Sequence, residues 1–277
     1  MKRIIYLLLC LVFMGSFISC TQETIRVSSE IESRDYDITD FTALEVSSGF
    51  KTYVSFSEVE ASVRIEANQN LFEKIKVVHR NGKLSVGLAN NVRIKGKETL
   101  NLYIVTSDIN SFKLTSDSSI LLDTPLDTQN VNIELTSDAY FDGDIIANDL
   151  KLQCTSGSRA SIFAEVNTAD IRLTSDSDYD GGLTADSAEL RLTSDADFYA
   201  TGAVGRMNAQ LSSDANLKDF SMSVRELNID LSSDSRAYLF VSEKITVSAS
   251  SDAVLYYKGD AEIVQQNTSS GGKVVRQ

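Results

Sequence analysis

The chain has 277 residues, of which 42% are hydrophobic and 23% charged, with a formal net charge of −13 and an isoelectric point near 4.6. That length allows one large domain or two small ones. So acidic a chain makes a poor nucleic-acid ligand, because phosphate contacts need clustered Lys and Arg, and anionic membrane surfaces should repel it, whereas cations or basic partners would be drawn to it.

The N-terminus reads as an export signal. Lys2 and Arg3 precede a short apolar run, Ile4–Phe13, too short for an ordinary membrane-spanning helix. "SFISC" then brings small residues up to Cys20, as in a bacterial lipobox, so Cys20 is expected to become the lipid-carrying first residue of the mature protein. Residues 1–19 are read as signal peptide and 20–36 as a lipidated cysteine with a polar tether. Removing Lys2 and Arg3 leaves a charge of −15. Cys10 leaves with the signal, so Cys154 is the one cysteine of the folded part and no internal disulfide is expected.

A β domain is expected over residues 37–277, with an irregular part at 37–105 and regular coils at 106–277. "FTALEVSSGFKTYVSF" has an apolar, SSG, apolar form that makes it a candidate early coil. The next stretch reads as a strand, a helical turn near Asn70–Lys74, a strand, an Asn81–Gly82 turn and another strand. His79 is the only histidine and lies beside that turn as an exposed strand residue, which removes Ser-His-Asp triads and His-based zinc chemistry.

From Leu114 one tetrad recurs as LTSD, LSSD, CTSG or ASSD. Its serines are Ser116, Ser137, Ser156, Ser175, Ser194, Ser213, Ser233 and Ser251, at steps of 21, 19, 19, 19, 19, 20 and 18. Another step of 18 reaches Ser269. Such a period signals a repeat architecture. Apolar residues alternate before each tetrad, as in Val131, Ile133 and Leu135, and a small residue follows it. Each repeat is then strand, tight turn, strand and return loop. One unit cannot bury its own apolar face, so the expected fold is an all-β, right-handed parallel β-helix with coils of about 19–20 residues. The N-terminal segment and the polar tail would close its two ends. Cys154 falls in the leucine column as a small buried hydrophobe.

The order of these features resembles the GIN-domain family of bacterial envelope lipoproteins, the auto-transporter adhesin heads, over about residues 38–275. The resemblance rests on "FTALEVSSGFKTYVSF", "SVRIEANQNLFEKIKV" with "NGKLSVGL", the Ser-rich coils, and "DAVLYYKGDAEIVQQNTSSGGKV". It implies a β-helical fold and an exported, lipid-anchored protein with no demonstrated enzyme activity. The chain departs from the family pattern in carrying Ser-Asp where members mostly carry Ser-Gly. With no barrel after the solenoid, it is not expected to secrete itself.

Three features are candidate sites. The corner aspartates Asp117, Asp138, Asp176, Asp195, Asp214, Asp234 and Asp252 would stack, and are expected to accept backbone N–H bonds at their turns rather than hold cations. Asp176, Asp178, Asp180 and Gly181 match the start of a calcium loop, but Ser187 stands where the closing glutamate belongs, and strand alternation explains the pattern without metal. Tyr199, Lys218, Tyr238 and Tyr256 should form an outward column, a candidate contact for sugar or protein. No catalytic residue, metal or cofactor is assigned.

The expected function is a non-enzymatic, lipid-anchored outer-membrane protein, at the cell surface or the periplasmic face, that binds a glycan or a cell-surface protein. A carbohydrate-active β-helix enzyme and a periplasmic structural protein are the alternatives. Coils this short leave little room for the long loops that roof an enzyme's groove.

Overall fold

The computed structural model describes residues 23–277; the export segment and Cys20 lie outside the described residues. The chain forms a β-solenoid of about nine turns over residues 111–276, preceded by a less regular sheet. Successive strands Tyr140–Thr155, Arg159–Thr174, Asp178–Thr193 and Asp197–Ser212 are each 16 residues long and pair in parallel. Within a coil, buried and exposed residues alternate, and the alternation resets where two exposed residues come together, at Asn148–Asp149 and Ser156–Gly157. There the strand can turn without sending a polar side chain inward.

Register makes the core a set of columns. Leu114, Leu135, Cys154, Leu173, Leu192, Leu211, Leu231 and Ala249 are consecutive partners, all buried. Full burial of one such leucine is worth about 1.5–3 kcal/mol. Cys154 takes a leucine's place, and burial pushes its thiol from an ordinary 9.0 up to about 12. The stability this lends is complete below the free thiol's range and is lost as the pH climbs toward 12. Folded protein at pH 8 should therefore resist a thiol reagent that labels the urea-unfolded chain at once; equal labelling rates would contradict the burial.

The recurrent tetrad is the coil's corner. Both central residues take positive φ, 58° at Ser175 and 58° at Asp176, and the same holds at every corner from Ser116–Asp117 to Ser270–Gly271. Left-handed backbone is costly for most side chains, and Asp and Gly are among the residues that tolerate it. Each corner's second N–H donates to the serine carbonyl of the next coil, as from Asp176 to Ser194 at 3.0 Å. The aspartate carboxylates do not accept turn N–H bonds, contrary to expectation. That role belongs to the small residue after the corner. Ser177 Oγ accepts from the Thr174 N–H at 2.8 Å and donates to the Cys154 carbonyl of the preceding coil at 3.0 Å. At Ala215, Ser235 and Ala253 the turn also closes through its own backbone, as from the Ala253 N–H to the Ser250 carbonyl at 3.2 Å. Since backbone conformation is what the corner demands, Asp176→Gly should be neutral or slightly stabilising, while Asp176→Val should cost about 1–2 kcal/mol. Urea denaturation of the two variants checks the contrast.

The N-terminal part begins as a coil. Ala43–Val46 pairs in parallel with Ser111–Thr115, and Lys51–Phe56 with Ser119–Leu122. Ser48 and Gly49 make its corner, with φ of 65° and 74°. Antiparallel strands then cover this end. Ser62–Asn68 lies between Ile31–Tyr36 and Leu100–Thr106, and Ile75–Arg80 turns at Asn81–Gly82 into Lys83–Leu88. The segment read as a tether contains two strands, the first in a separate two-stranded sheet and the second, Ile31–Tyr36, on the main one. Glu23–Arg26 pairs with Val92–Lys95, and Ile25, Val27 and Tyr36 pack against the core. The helical turn is a short 3₁₀ turn at Gln69–Leu71.

The far end closes by composition. Ala249 pairs with Thr268, which sets the last corner at Ser270–Gly271, one residue beyond the serine predicted from the spacing. Three core columns end there in polar residues, since Val247 pairs with Gln266, Ala249 with Thr268 and Tyr257 with Arg276, while two end in half-buried Ile263 and Val274. No broad apolar face is left for another rod to stack upon.

Candidate binding surfaces

The outward column exists as a register. Asp180 pairs with Tyr199, Tyr199 with Lys218, and Tyr238 with Tyr256. Its members have different surroundings. Tyr199 is exposed, and Lys218 Nζ pairs with Asp197. Tyr238 and Tyr256 stack face to face with centroids 4.8 Å apart and planes 7° from parallel. Phe220 meets Tyr238 edge-on at 5.6 Å, and Lys258 Nζ lies 4.2 Å from the Phe220 centroid. Phe220 sits in the three-residue link 219–221 between Lys218 and Met222, one residue longer than its counterpart 200–201 in the preceding coil and visible in the sequence as a step of 20 rather than 19. The stacked tyrosines cover each other's inner faces, so the pair presents mainly edges and hydroxyls to a partner.

A second surface lies around the middle coils. Asp144, Phe163, Gly182 and Thr201 form one outward column, and Asp127, Ile146, Glu165 and Thr184 the next. Two hollows of about 1040 and 460 Å³ flank this strip and share Ile146, Glu165 and Thr184. On the larger one's wall an amide ladder crosses the coils: Asn148 Nδ2 donates to Gln129 Oε1 at 2.7 Å, and Asn167 Nδ2 to Asn148 Oδ1 at 3.1 Å. Phe163 is 58% exposed and Ile146 46%. The Phe163 ring rests against Gly182, with Cδ1 2.7 Å from where a β-carbon would stand, so the missing side chain is what seats it. The sequence reading missed this surface, although a signal was there: Phe163 is an aromatic at an outward position between inward Ile162 and Ala164.

The remaining candidates are accounted for by the fold. Asp178 and Asp180 belong to the extended strand Asp178–Thr193, not to a curled calcium loop, and Asp178 pairs with Arg159 at 3.1 Å. No group of three or more potential ligands gathers among the described residues. His79 is an exposed strand residue, 6.3 Å from the Phe41 ring between centroids.

Compared with known families, residues 40–182 and 165–261 match the model described as "Putative auto-transporter adhesin, head GIN domain". The chain belongs to this family. Two overlapping matches are what a repeat protein gives when coils late in one alignment also serve early in the next. No curated protein matches the sequence. Among solved structures, the GIN-domain chain is similar to one described as "a putative adhesin" from Parabacteroides merdae, with a TM-score of 0.72 at 14% identity, over 92% of this chain and 99% of that one. It is similar to a second, described as a "Putative lipid binding protein" from Parabacteroides distasonis, with a TM-score of 0.67 at 13% identity over 92% and 100%. A Bacteroides fragilis structure described as "a putative adhesin" aligns at 0.55 and 12% over 91% and 100%. At these identities the likeness establishes the shared fold.

Proposed function

We propose that this GIN-domain chain is an exported, lipid-anchored and non-enzymatic envelope protein that holds a partner against the outer face of its solenoid. The observation that carries this reading is the register of its outward side chains. Equivalent positions recur one rung apart, about 4.8 Å, so the coils offer a partner a long, rigid, repeated surface. The adhesin description of the family and the lipobox-like approach to Cys20 support it. The Phe220, Tyr238, Tyr256 and Lys258 cluster is the candidate contact for a protein partner, since aromatic edges, a hydroxyl pair and a cation suit a polar, partly apolar interface. The experiment treats intact cells with a non-penetrating protease and follows the chain by antibody. Cleavage on intact cells supports the adhesin reading. Protection until the outer membrane is broken removes it and leaves a periplasmic partner-binding role. Cys20→Ala should shift the chain from the membrane to the soluble fraction; retention at the membrane would contradict the lipid anchor.

A further inference from the structure

We infer that the strip around Phe163, with the hollows on either side of it, is a binding site for an uncharged, linear saccharide chain lying along the rod. This rests on the reading of the protein as a binding module and gives it a site and a ligand class. Four observations carry the inference.

First, Phe163 is the most exposed aromatic among the described residues, held by contact with Gly182. Gly182 keeps its ring down on the sheet while leaving 58% of the residue open. Ile146, 46% exposed, extends the apolar strip in the next column. An aromatic body offers the C–H face of a sugar ring an apolar, polarisable seat.

Second, the groups across the Ile146, Glu165 and Thr184 ridge from that seat match hydroxyls. Side-chain amides both donate and accept. The ladder Gln129, Asn148 and Asn167 holds three of them in line, one per coil, already ordered by the bonds between them. Glu165 and Thr184 share the ridge between the hollows, and Asp186 continues the ladder's line on the next coil. A ligand whose hydroxyls repeat along a chain meets a side-chain amide at three successive rungs. Because the ladder is preformed, little ordering has to accompany binding.

Third, the charges select against anions. The strip carries Asp127, Asp144, Glu165 and Asp186, against Arg206 and Arg225 at one end, on a chain of net charge −13. Arg206 is itself engaged by Glu226 at 3.5 Å, which also meets Lys244 at 3.6 Å. A uronate polymer would pass mostly over carboxylates.

Fourth, the surface offers a peptide little to pair with. Peptide strands bind sheets by adding to a free edge. Here strand edges are taken by the coils on either side, in unbroken register from Leu126–Thr136 to Arg159–Thr174 and on to Asp178–Thr193. What remains for recognition is side chains, which favours a saccharide over an extended peptide.

The test is calorimetric titration of the full chain in detergent with cellohexaose, xylohexaose, chitohexaose and hexagalacturonate as probes. At least one neutral hexasaccharide should bind and hexagalacturonate should not. Phe163→Ala should weaken that binding about tenfold, with the melting curve unchanged because the residue is exposed. The double variant Asn148→Ala, Asn167→Ala should weaken it as well, providing a second probe of the same wall. Tyr238→Ala with Tyr256→Ala should leave it unaltered. Binding by hexagalacturonate alone, or by an unstructured peptide library alone, would overturn the inference. So would a neutral saccharide whose affinity ignores both groove variants; the binding-module reading would survive that result, with the site elsewhere. No heat from any saccharide at millimolar concentration would also overturn the ligand class, while protease access on intact cells decides the envelope reading independently.

Discussion

Replacing Tyr179 with alanine is expected to destabilise the fold by about 3–5 kcal/mol. Tyr179 is fully buried, and its ring stacks on Phe198 with centroids 4.6 Å apart and planes 15° from parallel. Small neighbours make the room for it. Ala160 precedes it in its column, and Gly181 and Ala200 stand in the column beside it. Its hydroxyl is no spectator, since its single proton is shared between the Ile162 carbonyl at 3.0 Å and the Gly182 carbonyl at 2.9 Å. Tyr179→Phe keeps the ring and removes the donor, so it should cost about 1–2 kcal/mol. Urea denaturation followed by circular dichroism separates the two. Equal losses would mean that the hydroxyl bonds, not the packing, hold this part of the core. Burial also drives the phenol's ionisation far above its ordinary range, so this residue should give no tyrosinate signal in the folded protein at a pH where exposed tyrosines ionise.

A single methyl at Gly181 should cost about 3 kcal/mol, the upper end for overpacking. A β-carbon there would stand 2.0 Å from the Ile162 carbonyl oxygen, which is backbone and cannot swing away. Gly181 also has φ of +158°, a conformation that L side chains rarely adopt, so backbone strain adds to the clash. Gly49→Ala is the control. It has φ of +74° and nothing within 4 Å, so it should show only the conformational penalty, about 1–2 kcal/mol. If the two alanines prove equally mild, the strands Arg159–Thr174 and Asp178–Thr193 can part more easily than their register implies. The same Ile162 oxygen accepts from Tyr179, so Gly181→Ala and Tyr179→Phe should not add in the double variant.

The solenoid was legible because one physical requirement was written many times. Each corner needs two residues at positive φ, and that demand repeats in the letters Ser-Asp. The alternation before each corner gave the core columns, including the place of Cys154. Other features were written once, or in residues that carry no pattern. Glu23–Arg26, in its own two-stranded sheet, and Ile31–Tyr36, at the margin of the main one, have mostly exposed side chains, so nothing in their composition distinguishes a strand from a tether. The hydrogen-bonding work of the corner was assigned to aspartate by residue type; the structure gives it to Ser118, Ser158, Ser177 and Ser235, one position later. In the site, the column Tyr199, Lys218, Tyr238 and Tyr256 followed from the period. That Tyr238 and Tyr256 cover each other depends on side-chain torsions, which spacing does not encode. Phe163 escaped notice because a search for repeated outward aromatics passes over a solitary one.

The closed ends of the rod have a consequence for its length. Everything that stops the stack lies outside its middle: the antiparallel strands around Ser62–Asn68 at one end, and Gln266, Thr268 and Arg276 at the other. The interior coils carry no terminal duties, and each meets its neighbours through the same columns. A coil of 19 residues, such as the one from corner Ser156 to corner Ser175, is thus a unit of measure. Duplicating it would move the two ends apart by one rung, about 4.8 Å, without uncovering the core. The molecule is built as a ruler whose span is set by counting.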